Sequence, residues 1–252
     1  MDNTHRFSNR VDNYVKYRPG YPAAVLDFLS ESTGFSPAWK VADIGSGTGI
    51  STALFLDNGN TVYAVEPNDA MREKAEELLG SHPGFITING AAEQTGLAPS
   101  SVDLVIAGQA FHWFEPVAAR KEFGRIVRPG GAIALMWNER QVDSDFEKAY
   151  EGLLQEFGTD YAQVNHSNIT LKEIGAFFQP MPFQLKVTGN QQTFDWERLK
   201  GRLLSSSYIP IEENDIYEKM MEQLRRIFVT WQKDGVVYFD YQTKIYLARS
   251  GS

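Results

Sequence analysis

The stretch that most constrains this chain is VADIGSGTGI at 41–50, an apolar run that breaks into glycines at every second position, Gly45, Gly47 and Gly49. The apolar residues before the break suit a buried strand, and a helical pattern follows it. Glycine opens backbone angles closed to other residues and lets the main chain come close to a ligand, while the first turn of the following helix offers unpaired N–H groups. Such a strand, loop and helix can seat a nucleotide-like ligand, or can be no more than a tight turn. Glu66 tips the balance. It lies about 20 residues beyond the loop at the end of the next strand candidate, where a carboxylate can accept both ribose hydroxyl protons of an adenosine group. The dinucleotide fingerprint G-x-G-x-x-G is not met, because Ile50 stands where its third glycine would fall. That spacing disfavours NAD and suits a ligand without a pyrophosphate, such as S-adenosylmethionine.

Around this loop the chain alternates. Short apolar runs at Val41–Ile44, Thr61–Val65, Phe85–Ile88, Val102–Ala107 and Ala132–Trp137 read as strands. Between them, Asp69–Leu79 reads as a helix capped by Asn68, with Met71, Ala75, Leu78 and Leu79 on one face, and another helix starts at Pro116 and stops before Arg128-Pro129-Gly130-Gly131. Strands that alternate with helices imply βαβ crossovers, hence a doubly wound α/β domain with a mostly parallel sheet. Beyond residue 140, helices are expected at about 143–157, 171–178, 195–206 and 212–232, the last with an apolar stripe of Ile216, Met220, Leu224, Ile227, Phe228 and Trp231 that packs on the domain. Strands at Phe183–Thr188 and Val236–Leu247 would extend one edge of the sheet, the final one antiparallel. With no repeat or linker to mark a boundary, one domain is expected over 1–252: a cap of helices at 1–35, a cofactor-binding core at 36–140, and a sheet edge with helical lid insertions at 141–252.

Composition removes several classes of function. A formal charge of −8 over 252 residues argues against nucleic-acid partners, which call for a basic face. The absence of cysteine excludes disulfides, thiolate metal sites and a cysteine nucleophile, and four scattered histidines give a metal centre no support. No apolar run approaches the roughly 20 residues that cross a bilayer, and MDNTHRFSNRVDNY lacks the apolar core of a secretory signal, so a cytoplasmic protein without a membrane partner is expected. Monomer and homodimer stay equally open.

Taken in order, VADIGSGTGI, AVEPNDAM, GAAEQTGL, SVDLVIAGQAFHWF and IVRPGG resemble the class I S-adenosylmethionine-dependent methyltransferases. The resemblance is closest to the small-molecule group that includes trans-aconitate methyltransferase and the ubiquinone-biosynthesis-type enzymes, and FSNRVDNYVKYRPGYP, LLSSSYIP and YQTKIYLARS resemble its bacterial members. It implies a Rossmann-like, seven-stranded sheet with an antiparallel last strand, S-adenosylmethionine as cofactor, and methyl transfer to a small-molecule carboxylate, hydroxyl or amine by in-line displacement. Carried over by residue, it implies that Asp43, Gly45, Gly47 and Thr48 line the methionine end of the cofactor and that Glu66 holds the ribose. Asn68 and Met71 would lie near ribose and adenine, Ala92 and Glu93 at the adenine edge, and Gln109 where cofactor and substrate meet. Many relatives carry Asp at the place of Ala91, which leaves the carboxylate partner of the adenine amino group open.

Each assignment has a structural competitor. Met71 can be core, Asp43 can simply brace the loop, and Trp113 can be a core aromatic rather than a pocket wall. His112 is the candidate acid–base residue, with pocket shaping as its alternative. The segment around Tyr14, Tyr17 and Arg18, within a stretch 1–22 expected to order with the cofactor, and the region Leu199–Tyr208 are lid candidates. A carboxylate acceptor would call for Arg18, Arg140 or Arg202, and a hydroxyl or amine for a base such as His112. The rival readings are a non-catalytic S-adenosylmethionine-binding regulator or partner-binding protein and, with less support, an NAD(P)-dependent oxidoreductase.

Overall fold

The computed structural model describes residues 17–159, 161, 170–206, 208–210 and 216–251. Its centre is a seven-stranded sheet made of β1 (Lys40–Ile44), β2 (Thr61–Val65), β3 (Phe85–Ile88), β4 (Val102–Gly108), β5 (Val127–Arg140), β6 (Phe183–Phe194) and β7 (Val237–Arg249), in the order β3-β2-β1-β4-β5-β7-β6. β1 to β5 pair in parallel, while β7 runs antiparallel to both β5 and β6. The helices are α1 (Ala24–Thr33), α2 (Ile50–Asp57), α3 (Asp69–Leu79), α4 (Pro116–Ile126), α5 (Asp145–Phe157), α6 (Leu171–Phe178), α7 (Trp196–Leu204) and α8 (Tyr217–Trp231).

The strands of the parallel half are apolar on both sides because both sides are covered. Val41, Val62, Leu104, Ile106, Ala134 and Met136 face α1 and α2, through Val25, Leu29, Phe55 and Leu56. Their neighbours Ala42, Val105, Ile133 and Leu135 face α4 and α6, through Phe123, Ile126, Phe177 and Phe178. Local signals set the helix starts. The Asn68 side chain accepts from Met71 N at 3.0 Å to cap α3, and Glu115 accepts from Val117 N and Ala118 N ahead of Pro116 in α4.

Past the end of β4, strands β5 to β7 continue. Trp137–Arg140 of β5 still pair with β7, and the β6–β7 ladder runs further, to Phe194 opposite Val237. On this extension sits a second apolar cluster, in which Tyr150, Leu153, Leu199, Leu203, Met220 and Leu224 of α5, α7 and α8 close on Phe194, Phe239 and Tyr241. The sheet's open end therefore faces a wall of helices.

Several elements depart from the expectation. β5 begins at Val127 and runs through the Pro-Gly-Gly breaker, whose residues bulge between the Val102–Val127 and Leu104–Ala132 pairs with Gly130 at φ 76°. β6 outruns Thr188 because the polar Gly189–Thr193 run is held by its ladder to β7, a tertiary partner that overrides weak strand propensity. In α3, Leu78 is exposed, so the buried face is Met71 and Ala75. In α8 the buried stripe starts at Tyr217, while Ile216 and Trp231 face outward.

Candidate active site

The chain leaves β1 through Gly45 and Gly47, at φ 67° and 56°, both in the left-handed region that favours glycine. Gly45 N and Ser46 N donate to Val65 O at 2.9 and 3.2 Å, which ties the loop to the end of β2. A Cβ on Gly45 would lie 2.7 Å from that of Ala110, whereas the space around Gly47 is open. Asp43 stands behind the loop, fully buried, rather than on the cavity wall. Its Oδ2 accepts from Ser51 Oγ at 2.6 Å and Thr52 Oγ1 at 2.7 Å, a brace between β1 and the first turn of α2. Burial pushes the Asp43 carboxyl up to about 6 against the pull of those two hydroxyls, and the nearby Glu66 charge adds to the rise.

Glu66 follows β2 directly and is 8% exposed. Its Oε2 accepts from Gly47 N and its Oε1 from Asn68 N, each at 2.9 Å. Burial raises its pKa, while the two N–H groups and Arg72 oppose the rise. A carboxylate has about four acceptor positions, so two remain for donors brought into the cavity. The residues therefore suit an adenosyl group with an amino-acid tail: a rigid acceptor for a diol, an open backbone at Gly47, and the hydroxyls of Ser46 and Thr48, buried at the cavity wall without a hydrogen-bond partner.

A cavity of about 560 Å³ opens from this loop across the sheet's C-terminal edge to the helical wall. Gly45, Gly47, Thr48, Glu66, Asn68 and Met71 line one end, Met71 serving both as core at 6% exposed and as wall. Ala92, Glu93, Gln109, His112 and Trp113 line its middle. Glu93 Oε1 accepts from Glu115 N at 2.7 Å, which commits that carboxylate to the start of α4. Gln109 directly follows β4 at φ 57° and donates from Nε2 to Asn138 O at 3.0 Å, spanning the mouth between β4 and β5. His112 and Trp113 lie in a 3-10 turn, Phe111–Trp113, with ring centroids 4.6 Å apart. Arg18 also lines the cavity. Tyr17 does not: it is buried in the helical cluster, where its ring leaves no room for a side chain at position 201, a glycine. Tyr14 lies outside the described residues.

The far end carries residues that sequence reasoning reached in part. Arg140 and Arg202 appeared there only as possible partners of an acidic acceptor. Asn138, Tyr150, Glu151, Tyr161 and Tyr241, which join them on the lining, were missed. For Asn138 a signal existed, since a polar residue directly after the buried run ALMW falls at the strand end where α/β sheets take ligands. For Tyr150 none existed, because it occupies the buried face of α5 like any core residue.

A sheet of this order, with a glycine loop after β1 and a carboxylate after β2 facing one cavity, has the Rossmann-like methyltransferase fold. Residues 42–135 match the family model described as a methyltransferase domain. An uncharacterized methyltransferase of Mycobacterium tuberculosis is 37% identical over 134 residues, which cover 53% of this chain and 52% of that protein. The chain thus spans about half the length of the curated relatives it matches first. An uncharacterized methyltransferase of Schizosaccharomyces pombe is 24% identical over 242 residues, 95% of each chain. Among solved structures, a protein of Anaeromyxobacter dehalogenans described as a type II methyltransferase shares the fold with a TM-score of 0.70 at 24% identity, over 94% of this chain and all of that one.

Proposed function

We propose that the chain binds S-adenosylmethionine at the glycine-loop end of the cavity and transfers its methyl group to a small molecule held at the other end. The observation that carries this reading is Glu66, fixed by Gly47 N and Asn68 N at the mouth of the loop with acceptor positions to spare. When bound, the cofactor supplies a methyl group on a positively charged sulfur, already activated for displacement. The protein's own work is then positional. The loop and Glu66 hold the adenosyl end, Gln109 and Asn138 shape the mouth, and the aromatic walls keep water away while the acceptor is aimed. In this reading His112, which lines the cavity, orients the acceptor or takes its proton.

Calorimetry tests the reading. The protein should bind S-adenosylmethionine and S-adenosylhomocysteine but not NAD or NADP. Glu66→Ala should weaken binding by about 2 kcal/mol, roughly 30-fold, since hydrogen bonds to a charged group are worth about 1.5 to 3. Unchanged affinity in a folded variant would remove Glu66 from the site. Turnover of radiolabelled S-adenosylmethionine with a metabolite library then identifies the acceptor.

A further inference from the structure

Among the described residues, the far end of the cavity holds a buried positive charge that no carboxylate pairs with. Arg202, in the last turn of α7, is 8% exposed and lines the cavity. The groups around its guanidinium are phenols: it bonds Tyr241, with Tyr150 and Tyr208 close by, and its Nε has no hydrogen-bond partner. No carboxylate among the described residues pairs with it. Arg140, across the same space on β5, does have one, because its Nη2 meets Glu151 and also Tyr161 Oη at 3.4 Å, yet its Nη1 is buried without a partner. The ring centroids of Tyr150 and Phe239 lie 5.5 and 5.7 Å from the Arg140 guanidinium carbon. Of these two arginines, the described residues give Arg140 a carboxylate partner and Arg202 none, so one positive charge stays unpaired in an aromatic-walled space.

A guanidinium withdrawn from water without a counter-charge is costly, and for packing alone an apolar side chain would serve α7 better. Tyrosine hydroxyls satisfy some of its donors but neutralise nothing. Burial pushes the Tyr150 phenol up, so it stays protonated and can donate to an anion. We propose that Arg202, with Arg140 and these phenols, forms a subsite that binds a carboxylate of the acceptor, so that the substrate is a small organic acid whose apolar body lies against the tyrosine rings. One uncompensated charge matches a carboxylate monoanion better than a phosphate dianion, and the guanidinium fork matches its two oxygens. The proposal rests on the reading of the loop end as the cofactor site, because that leaves this end for the acceptor.

The test uses the whole protein saturated with S-adenosylhomocysteine, whose binding is measured first and separately by calorimetry. Failure there sinks the cofactor reading alone, and the acids are then offered to the protein without it. Saturation-transfer NMR compares a panel of small aromatic and aliphatic carboxylic acids, at millimolar concentration, with their uncharged amides and with the matching phosphate monoesters. The expected result is binding of acids and not of amides, and a loss of about tenfold or more for the acids in Arg202→Gln and Arg202→Met. S-adenosylhomocysteine affinity should not change in either variant, and Arg202→Met should keep or raise its Tm once the uncompensated charge is gone. Amides binding as well as acids, no acid binding, phosphate esters preferred, or acids held equally by folded Arg202 variants would each overturn the proposal. Should neither variant fold, the comparison of acids and amides on the wild type decides it.

Discussion

Asp43 sits one residue before the end of β1, and its two bonds to Ser51 and Thr52 make it a brace for the glycine loop rather than a wall of the cavity. That placement has a pH signature. Its carboxyl is raised to about 6 by burial from an ordinary value of 3.8, so the folded chain holds the proton more tightly than the unfolded one. Below the lower value both states are protonated and nothing is lost. As pH rises through the window the unfolded state ionises first, and stability falls by about 3 kcal/mol in all, at about 1.4 per unit. Asp43→Asn should remove this slope, so urea denaturation between about pH 4 and pH 7 should show the wild type losing stability relative to the variant. Parallel curves would mean that the buried carboxyl does not titrate in that window.

At the scale of elements, Glu122 of α4 hooks the loop that carries Ala92 and Glu93. Glu122 Oε1 accepts from Thr95 N at 2.9 Å and Thr95 Oγ1 at 2.6 Å, and the same carboxylate takes Arg125 Nε and Nη2. Arg125 and the Thr95 donors hold the Glu122 carboxyl down at about 2 against a desolvation that would raise it. Its contribution is therefore present above the ordinary glutamate range and fades only as pH falls toward that value. Glu122→Ala would strand a fully buried backbone N–H at Thr95, at a cost of about 2 kcal/mol in urea denaturation, and would loosen the middle of the cavity wall. A change below about 0.5 kcal/mol, typical of surface positions, would show that the loop does not depend on this hook. The segment before α1 is strapped in the same manner, since Gly20 O accepts from Asn138 Nδ2 at 3.1 Å and from Asn190 Nδ2 at 2.8 Å.

Across the whole molecule, the glycine-loop end and the helical wall share the cavity and the strands β5 and β7. Because β7 runs through both apolar clusters, with Tyr246 and Ala248 in one and Phe239 and Tyr241 in the other, the chain is expected to unfold as one domain in a single cooperative transition. Saturation with S-adenosylhomocysteine should then stabilise all of it, by about 2.7 kcal/mol at a ligand concentration 100 times Kd. The gain should shrink in Glu66→Ala. Two transitions, of which the ligand moves only one, would divide the chain into independently folding parts.

Where the chain's own pattern is strong, reading it was enough. β2, β3 and α3 occupy the residues that alternation and capping indicate, and the glycine loop lies between β1 and α2 as its spacing requires, because short-range sterics and hydrophobic period decide these elements before any partner arrives. The far half of the site is different in kind. The polar end of β6 is a strand only because β7 lies beside it, and Tyr150 and Arg202 occupy helix faces whose periodicity marks them as core. Nothing local distinguishes a buried arginine that braces a helix from one that faces a cavity. That difference arises only when α5 and α7 close over the extended strands, since the cost of burying a charge depends on what the fold places around it.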